Sequence, residues 1–250
     1  MRVAAVKTQK VLAGQSGLLK LLDKYLDEFK DGSVLAITSK VVALCENRVV
    51  PAGQADKKAL VIQEADYYLP ENLSKYGFSF TILHNTLVPA AGIDLSNGAG
   101  NYVLWPADPQ KSANEVREYL AKRFGLKNVG VIITDSTARP LHYGTEGIGI
   151  RYSGFLPSNN YVGQPDLFGR KLEVSVSNVF DALAAAAVVV MGEGSEQTPL
   201  AVIEDVPFVQ FQDRNPTREE LDKFFIDHMK DDLFEPFLRQ MGWQKGGRKE

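Results

Sequence analysis

Four short apolar runs, SVLAIT (33–38), FSFTIL (78–83), VGVIIT (129–134) and PLAVIE (199–204), limit what this chain can fold into more than any other feature. Runs of this length, rich in β-branched or aromatic residues and bounded by turn formers, predict strands rather than helices. RVAAV (2–6), NYVLW (101–105) and the alternating LEVSVSN (172–178) predict more. Helical periodicity lies between them. In 16–29, Leu18, Leu19, Leu22, Tyr25, Leu26 and Phe29 share one face behind Ser16 as N-cap, and 56–69 reads as a helix closed by Pro70. Segment 112–124 carries Ser112 as a cap, Glu115 at the capping-box position and Gly125 as a stop, and 181–191 is a buried small-residue helix. Strands and helices alternate irregularly, with hairpin-compatible spacing late in the chain. This predicts an α+β fold with mixed or antiparallel sheets rather than a doubly wound layout.

Two stretches stand apart. Residues 138–171 hold Gly144, Gly147, Gly149, Gly154, Gly163 and Gly169 together with Pro140, Pro157 and Pro165, which predicts a long loop region of functional importance. Beyond Phe211 the sequence becomes charged and helical and ends in a basic, glycine-rich tail, Gly246 to Lys249. The expected division is a catalytic domain over 1–211 and a C-terminal helical extension over 212–250. A chain of 250 residues is long enough for one large domain or two small lobes.

Composition excludes several classes of function. With 28 basic against 31 acidic residues the net charge is −3, so no basic excess faces a nucleic-acid backbone. The lone Cys45 forms no disulfide within the chain and no CxxC knuckle, which fits a reducing, cytoplasmic setting. Lys7, Lys10, Lys20 and Lys24 interrupt the N-terminal region, unlike a signal peptide, and the longest apolar run, 182–191, is about half the ~20 residues of a membrane span. GxxxxGK[ST], GxSxG and HExxH are absent, GIGIRY ends in Tyr152 where GxGxxG needs glycine, and His84, His142 and His228 lack zinc-ligand spacing.

What remains is a set of acids at the ends of apolar segments. Asp135 and Ser136 follow VGVIIT, Asp94 lies in AAGIDLSN, and Glu193 lies in the loop GEGSEQTP. Carboxylate and hydroxyl oxygens are hard ligands suited to Mg2+ or Mn2+, although an Asp after a strand also serves as an Asx-turn former or helix cap. The glycine-rich 192–199 loop and TSK (38–40) offer backbone N–H groups and one cation to phosphate oxygens. Arg139 and Arg170, set among turn formers, are candidate forks for a substrate anion or partners in surface ion pairs. Residue types and spacing alone therefore describe an acidic, oxyanion-handling site without naming its reaction.

Taken in order, ITSKVVALCENRVV, AAGIDLSN, VIITDSTARP…GTEGIGI and GQPDLFGRKLEVSVSNVFDALAAAAVVVMGEGSEQTPLAVI resemble the coenzyme F-420:L-glutamate ligase family of γ-glutamyl ligases, over roughly residues 1–205. The resemblance implies GTP-dependent amide formation between a substrate carboxylate and L-glutamate through an acyl phosphate, in two closely joined lobes and a homodimer. It implies Asp94, Asp135, Ser136 and Glu193 as ligands of two divalent cations, Mg2+ or Mn2+, with K+ a further candidate ion. Ser39, Lys40, Asn97, Met191, Gly192, Gly194, Ser195, Glu196, Gln197 and Thr198 match positions that contact the nucleotide, and Gln9, Lys10, Val11 and Leu12 align loosely with another such segment. Asp135 and Arg139 are the expected catalytic pair, with His142 and Arg170 on the substrate.

Departures concern the acceptor. Many relatives read DSFGRPWRxG where this chain has DSTARPLHYG, placing Ala138, Leu141, His142 and Tyr143 in altered positions, and a lysine common in relatives is Leu44 here. Losing two cations beside polyanionic substrates points toward an acceptor other than the deazaflavin, folate being the natural one. A metal-dependent nucleotide phosphohydrolase without an amine acceptor is the second reading, and a non-catalytic binding module the third.

Overall fold

The computed structural model describes residues 1–227 and 230–248; His228 and Lys249, noted above for their side chains, fall outside them. In chain order the elements are β1 (Arg2–Val6), α1 (Leu18–Tyr25), β2 (Ser33–Thr38), α2 (Ser39–Cys45), β3 (Val49–Pro51), α3 (Lys57–Glu64), β4 (Tyr67–Tyr68), β5 (Phe80–Leu83), β6 (Thr86–Pro89), β7 (Asn101–Val103) and α4 (Pro109–Phe124). There follow β8 (Val129–Ala138), β9 (Thr145–Ser153), β10 (Ser158–Asn160), β11 (Val176–Asn178), α5 (Val179–Met191), β12 (Leu200–Glu204), α6 (Arg218–Phe224), α7 (Glu235–Leu238) and β13 (Gln244–Lys245). The fold is α+β with mixed and antiparallel sheets, as the sequence predicts.

The largest sheet has the order β1-β12-β2-β8-β9, in which only β2 and β8 run parallel. Residues 34–37 of β2 and 129–133 of β8 are apolar because both faces are covered there. On β2, Leu35 and Ile37 enter one core beneath α1, α2 and α4, while Val34 and Ala36 enter a second core beneath α5. On β8, Val131 and Ile133 take the first face and Ile132 the second. A four-stranded antiparallel sheet, β13-β4-β5-β6, and two strand pairs, β3-β7 and β10-β11, complete the pairing.

Several boundaries differ from expectation for identifiable reasons. Helix α1 is shorter than 16–29 and starts after Gly17, not Ser16. Helix α3 stops at Glu64 because Tyr67 and Tyr68 pair with Ile82 and Thr81 in the sheet. Helix α4 begins earlier than Ser112: Asp108 accepts a hydrogen bond from Lys111 N at 2.9 Å with Pro109 in the first turn, and it ends at Gly125 in the left-handed region (φ 66) as expected. Of LEVSVSN only 176–178 is strand.

The larger correction concerns 138–171, read as loop. Residues 145–153 form β9, a full strand of the main sheet. Its glycines answer to packing: a Cβ on Gly149 would lie 2.1 Å from Phe180 Cζ, and one on Gly147 would lie 2.5 Å from Val188 Cβ. They let α5 settle directly on the strand. The C-terminal segment also packs closely. Phe224 meets Tyr152 and Phe180 edge-on in the second core, Phe225 meets Phe180 edge-on and Tyr152 at a tilt of 35°, and β13 adds to β4. Among the described residues, no helix is long and apolar enough to cross a membrane.

Candidate functional site

The parallel pairing of β2 with β8 ends with Thr38 opposite Thr134, so Ser39 and Asp135 follow side by side where β2 stops at its carboxyl end, while β8 runs on against β9 to Ala138. The carboxyl end is the usual place for ligand sites beside parallel strands. A register shift between Ile133 and Thr134 in the pairing with β9 falls at the same point and re-aims the end of β8. Thr38 also caps α2, its hydroxyl accepting from Val41 N at 3.3 Å.

Above this end of the pair is a cavity of about 410 Å3 lined by residues from five separate stretches: 8–12, 38–44, 97–99, 134–136 and 188–199. Hydrogen bonds lace them together. Thr8 N donates to Gln197 O at 2.8 Å, Thr38 N to Pro199 O at 3.0 Å, Asn97 Nδ2 to Gly194 O at 2.9 Å and Ser136 Oγ to Glu193 Oε2 at 3.0 Å. The loop after α5 is shaped from within. Gly192 adopts φ 76 beside the Glu196 carboxyl, which accepts from Gly194 N at 2.8 Å, and the Thr198 hydroxyl donates to Met191 O at 2.5 Å.

The three acids have different surroundings. Lys40 Nζ lies 2.6 Å from Asp94 Oδ2 and also donates to Ser96 O and Oγ, each at 3.0 Å. Burial alone would raise the Asp94 carboxyl, but Lys40 and two donors from Ser96 outweigh it and hold it at about 2. Asp135 receives the indole N–H of Trp105 and, at 2.8 Å, the backbone N–H of Ser136. Burial dominates there, pushing the carboxyl up to about 6 against the opposing hydrogen bonds. Glu193 is exposed and reaches Ser136 across the cavity mouth. Among the described residues, no three His, Cys, Asp or Glu side chains form a ready-made cation cage. The acids approach one cavity without closing on one point.

Comparison with protein families matches residues 5–205 to F420-0:Gamma-glutamyl ligase. The chain belongs to this family. A "Coenzyme F420:L-glutamate ligase" of Methanococcus maripaludis strain C7 is 34% identical over 212 residues, covering 78% of this chain and 84% of that one. Proteins of the same name from Methanocaldococcus jannaschii and Archaeoglobus fulgidus are 30% and 34% identical over 233 and 190 residues. These matches cover 84% and 70% of this chain and 90% and 76% of the relatives. The chain is accordingly a γ-glutamyl ligase, an enzyme that forms amide bonds.

Most of the expected site residues of this ligase come together. Gln9, Lys10, Val11, Leu12, Ser39, Lys40, Asn97, Asp135, Ser136 and all of 191–198 line the cavity. Asp94 is outside the lining and, among the described residues, joins it through Lys40. Arg139, expected in the catalytic pair, and His142 and Arg170, expected on the substrate, are not brought to it. Arg139 pairs with Glu146 at 3.3 Å, Arg170 pairs with Glu173 at 3.4 Å, and His142 Nδ1 sits 3.1 Å from Pro140 O, all on exposed turns. Leu141 and Tyr143 beside them are fully exposed as well. Leu44, where the resemblance implies a lysine, does reach the cavity, as a buried apolar wall. Thr38, read with Ser39 and Lys40 as a phosphate-contacting turn, lines the cavity as well. Sequence reading missed Thr8 and Thr134, whose signal was only their place at the ends of apolar runs, and Trp105, which nothing in a run of strand residues distinguishes.

Proposed function

We propose that this chain is a GTP- and divalent-metal-dependent γ-glutamyl ligase that joins L-glutamate to a carboxylate acceptor, a coenzyme F420 precursor or a folate, through an acyl phosphate. The observation that carries this is the convergence of Asp135, Ser136 and Glu193 with Lys40 and the 191–198 loop around one cavity. Its volume of about 410 Å3 is in the range of small-molecule sites.

Asp135, Ser136 and Glu193 are the oxygen donors that fit Mg2+ or Mn2+, with K+ a further candidate ion, and a second divalent ion would draw in Asp94. Asp94 already holds an ammonium, so it is free for a metal only once Lys40 turns to a phosphate oxygen. Such ions supply neutralisation of phosphate charge. The chain's own groups bind and orient: Lys40 as a point charge, the glycine-rich 191–198 loop through backbone N–H groups, and Gln9 and Lys10 at the rim. Holding carboxylate and phosphate in line accounts for most of the rate gain in such transfers. The His142 and Tyr143 departures lie outside the cavity of a single chain and do not discriminate between acceptors; Leu44 does, by making one wall apolar.

A homodimer and a cytoplasmic setting belong to the same reading. Fully exposed Leu141, Tyr143, Leu167 and Phe168 support a partner copy, which would cover large apolar side chains that solvent otherwise meets in full. Phosphate release from GTP tests the reaction class. Release that requires both L-glutamate and an acceptor is the expected result, and release independent of glutamate would instead support a phosphohydrolase.

A further inference from the structure

Trp105 follows β7 and is 3% exposed, with its single N–H donated to Asp135 Oδ2. The indole occupies a slot made for it. Gly92 has φ +67, and a Cβ there would lie 2.0 Å from Trp105 Nε1. Behind the indole the His84 ring lies nearly parallel, at 11° and 6.4 Å between centroids. His84 is itself fastened on three sides. Its N–H donates to Asp66 Oδ2 at 2.7 Å, its carbonyl accepts from Arg151 at 3.1 Å, and its Nδ1 lies 2.9 Å from the Arg248 guanidinium. A guanidinium only donates, so Nδ1 accepts and the ring is neutral, in keeping with a pKa pushed down to about 3 by burial and the charges of Arg151 and Arg248. Arg248 arrives on a closely seated tail: Gly246 N donates to Asp66 O at 2.9 Å and Gly247 N to Ile62 O at 2.8 Å.

We propose that Trp105 is a positioning residue for Asp135, and that the C-terminal tail braces it through Arg248 and His84. The inference rests on the reading of Asp135 as a metal ligand and assigns a task to a segment outside the matched 5–205 region. A carboxylate with one oxygen fixed by a buried donor meets a cation in one orientation. Loss of such an outer partner weakens metal binding by about 10–100-fold in comparable sites. Trp105→Phe removes the N–H and keeps an aromatic ring in the slot; Arg248→Met releases His84 from outside the cavity.

The test measures Mn2+ affinity of the full chain, without substrates, by electron paramagnetic resonance, alongside thermal denaturation. The indole 15N–1H resonance of Trp105 is followed in a Trp243→Phe background. Trp105→Phe is expected to weaken Mn2+ binding by about 10–100-fold with its folding transition retained, and Arg248→Met by less in the same direction. The indole resonance is expected to broaden on Mn2+ addition and to move in Asp135→Asn. Unchanged affinity in Trp105→Phe, or an indole resonance indifferent to Asp135→Asn, would overturn the inference while leaving the ligase reading intact. If Trp105→Phe fails to fold, the resonance and Arg248→Met decide. A parent protein that binds no Mn2+ would defeat the reading of Asp135 and the inference together.

Discussion

At the scale of single residues, Asp135 is the cavity acid whose burial costs the most. Its folded pKa of about 6 stands above the ordinary carboxylate value of 3.8, so the folded state favours the protonated form. The stability this confers is present below about pH 4 and is lost as pH rises through 6, by up to about 3 kcal/mol. In a chelating buffer, Asp135→Asn is therefore expected to match the parent below pH 4 and to be the more stable protein at pH 7–8, while binding no Mn2+. Denaturant midpoints across pH check this; a variant less stable than the parent at pH 8 would show that Asp135 is held in its charged form. Asp94 runs the opposite way. With its folded value depressed to about 2, it stabilises above about pH 4 and loses that contribution as pH falls through 2.

At the scale of elements, legibility followed burial. SVLAIT and VGVIIT were plain because both faces of β2 and β8 are covered, which makes the run itself apolar. TEGIGIRYS was hidden because its glycines are set by the approach of α5, a partner distant in sequence, and resemble turn glycines when read alone. Gly149→Ala is expected to cost about 1–3 kcal/mol, since Phe180 is buried within an aromatic cluster and has little room to withdraw. Urea unfolding measures this, and a neutral result would mean that α5 sits less closely on β9 than described. The site divides similarly. Acids at strand and helix ends were legible from chemistry, whereas Trp105 acquires its role only through Gly92 and His84, and the placement of Arg139, His142 and Arg170 was decided by turns rather than residue type.

At the scale of the whole molecule, the segment beyond 211 is woven into the rest. Phe224 and Phe225 cover Tyr152 and Phe180, Arg117 donates to Asn215 at 2.6 Å, and β13 pairs with β4. Truncation after residue 211 would uncover an aromatic core face and is expected to abolish cooperative thermal unfolding, as followed by circular dichroism. A truncated chain that melts like the parent would make 212–250 a dispensable extension. The exposed apolar side chains on the turns at 141–143 and 167–168 carry the expectation of self-association. Leu141→Asp with Phe168→Asp is expected to shift sedimentation from dimer to monomer, whereas a parent that already sediments as a monomer would contradict it.

The central claim is that one cavity brings a metal-bound nucleotide, a carboxylate acceptor and L-glutamate together for amide formation. Mass spectrometry of the acceptor pool after incubation with GTP, L-glutamate, Mn2+ and a deazaflavin or folate acceptor tests it most directly. The account predicts a product heavier by one glutamyl unit, formed by the parent and not by Asp135→Asn; GTP consumed with every acceptor unchanged, or equal product from both proteins, would contradict it.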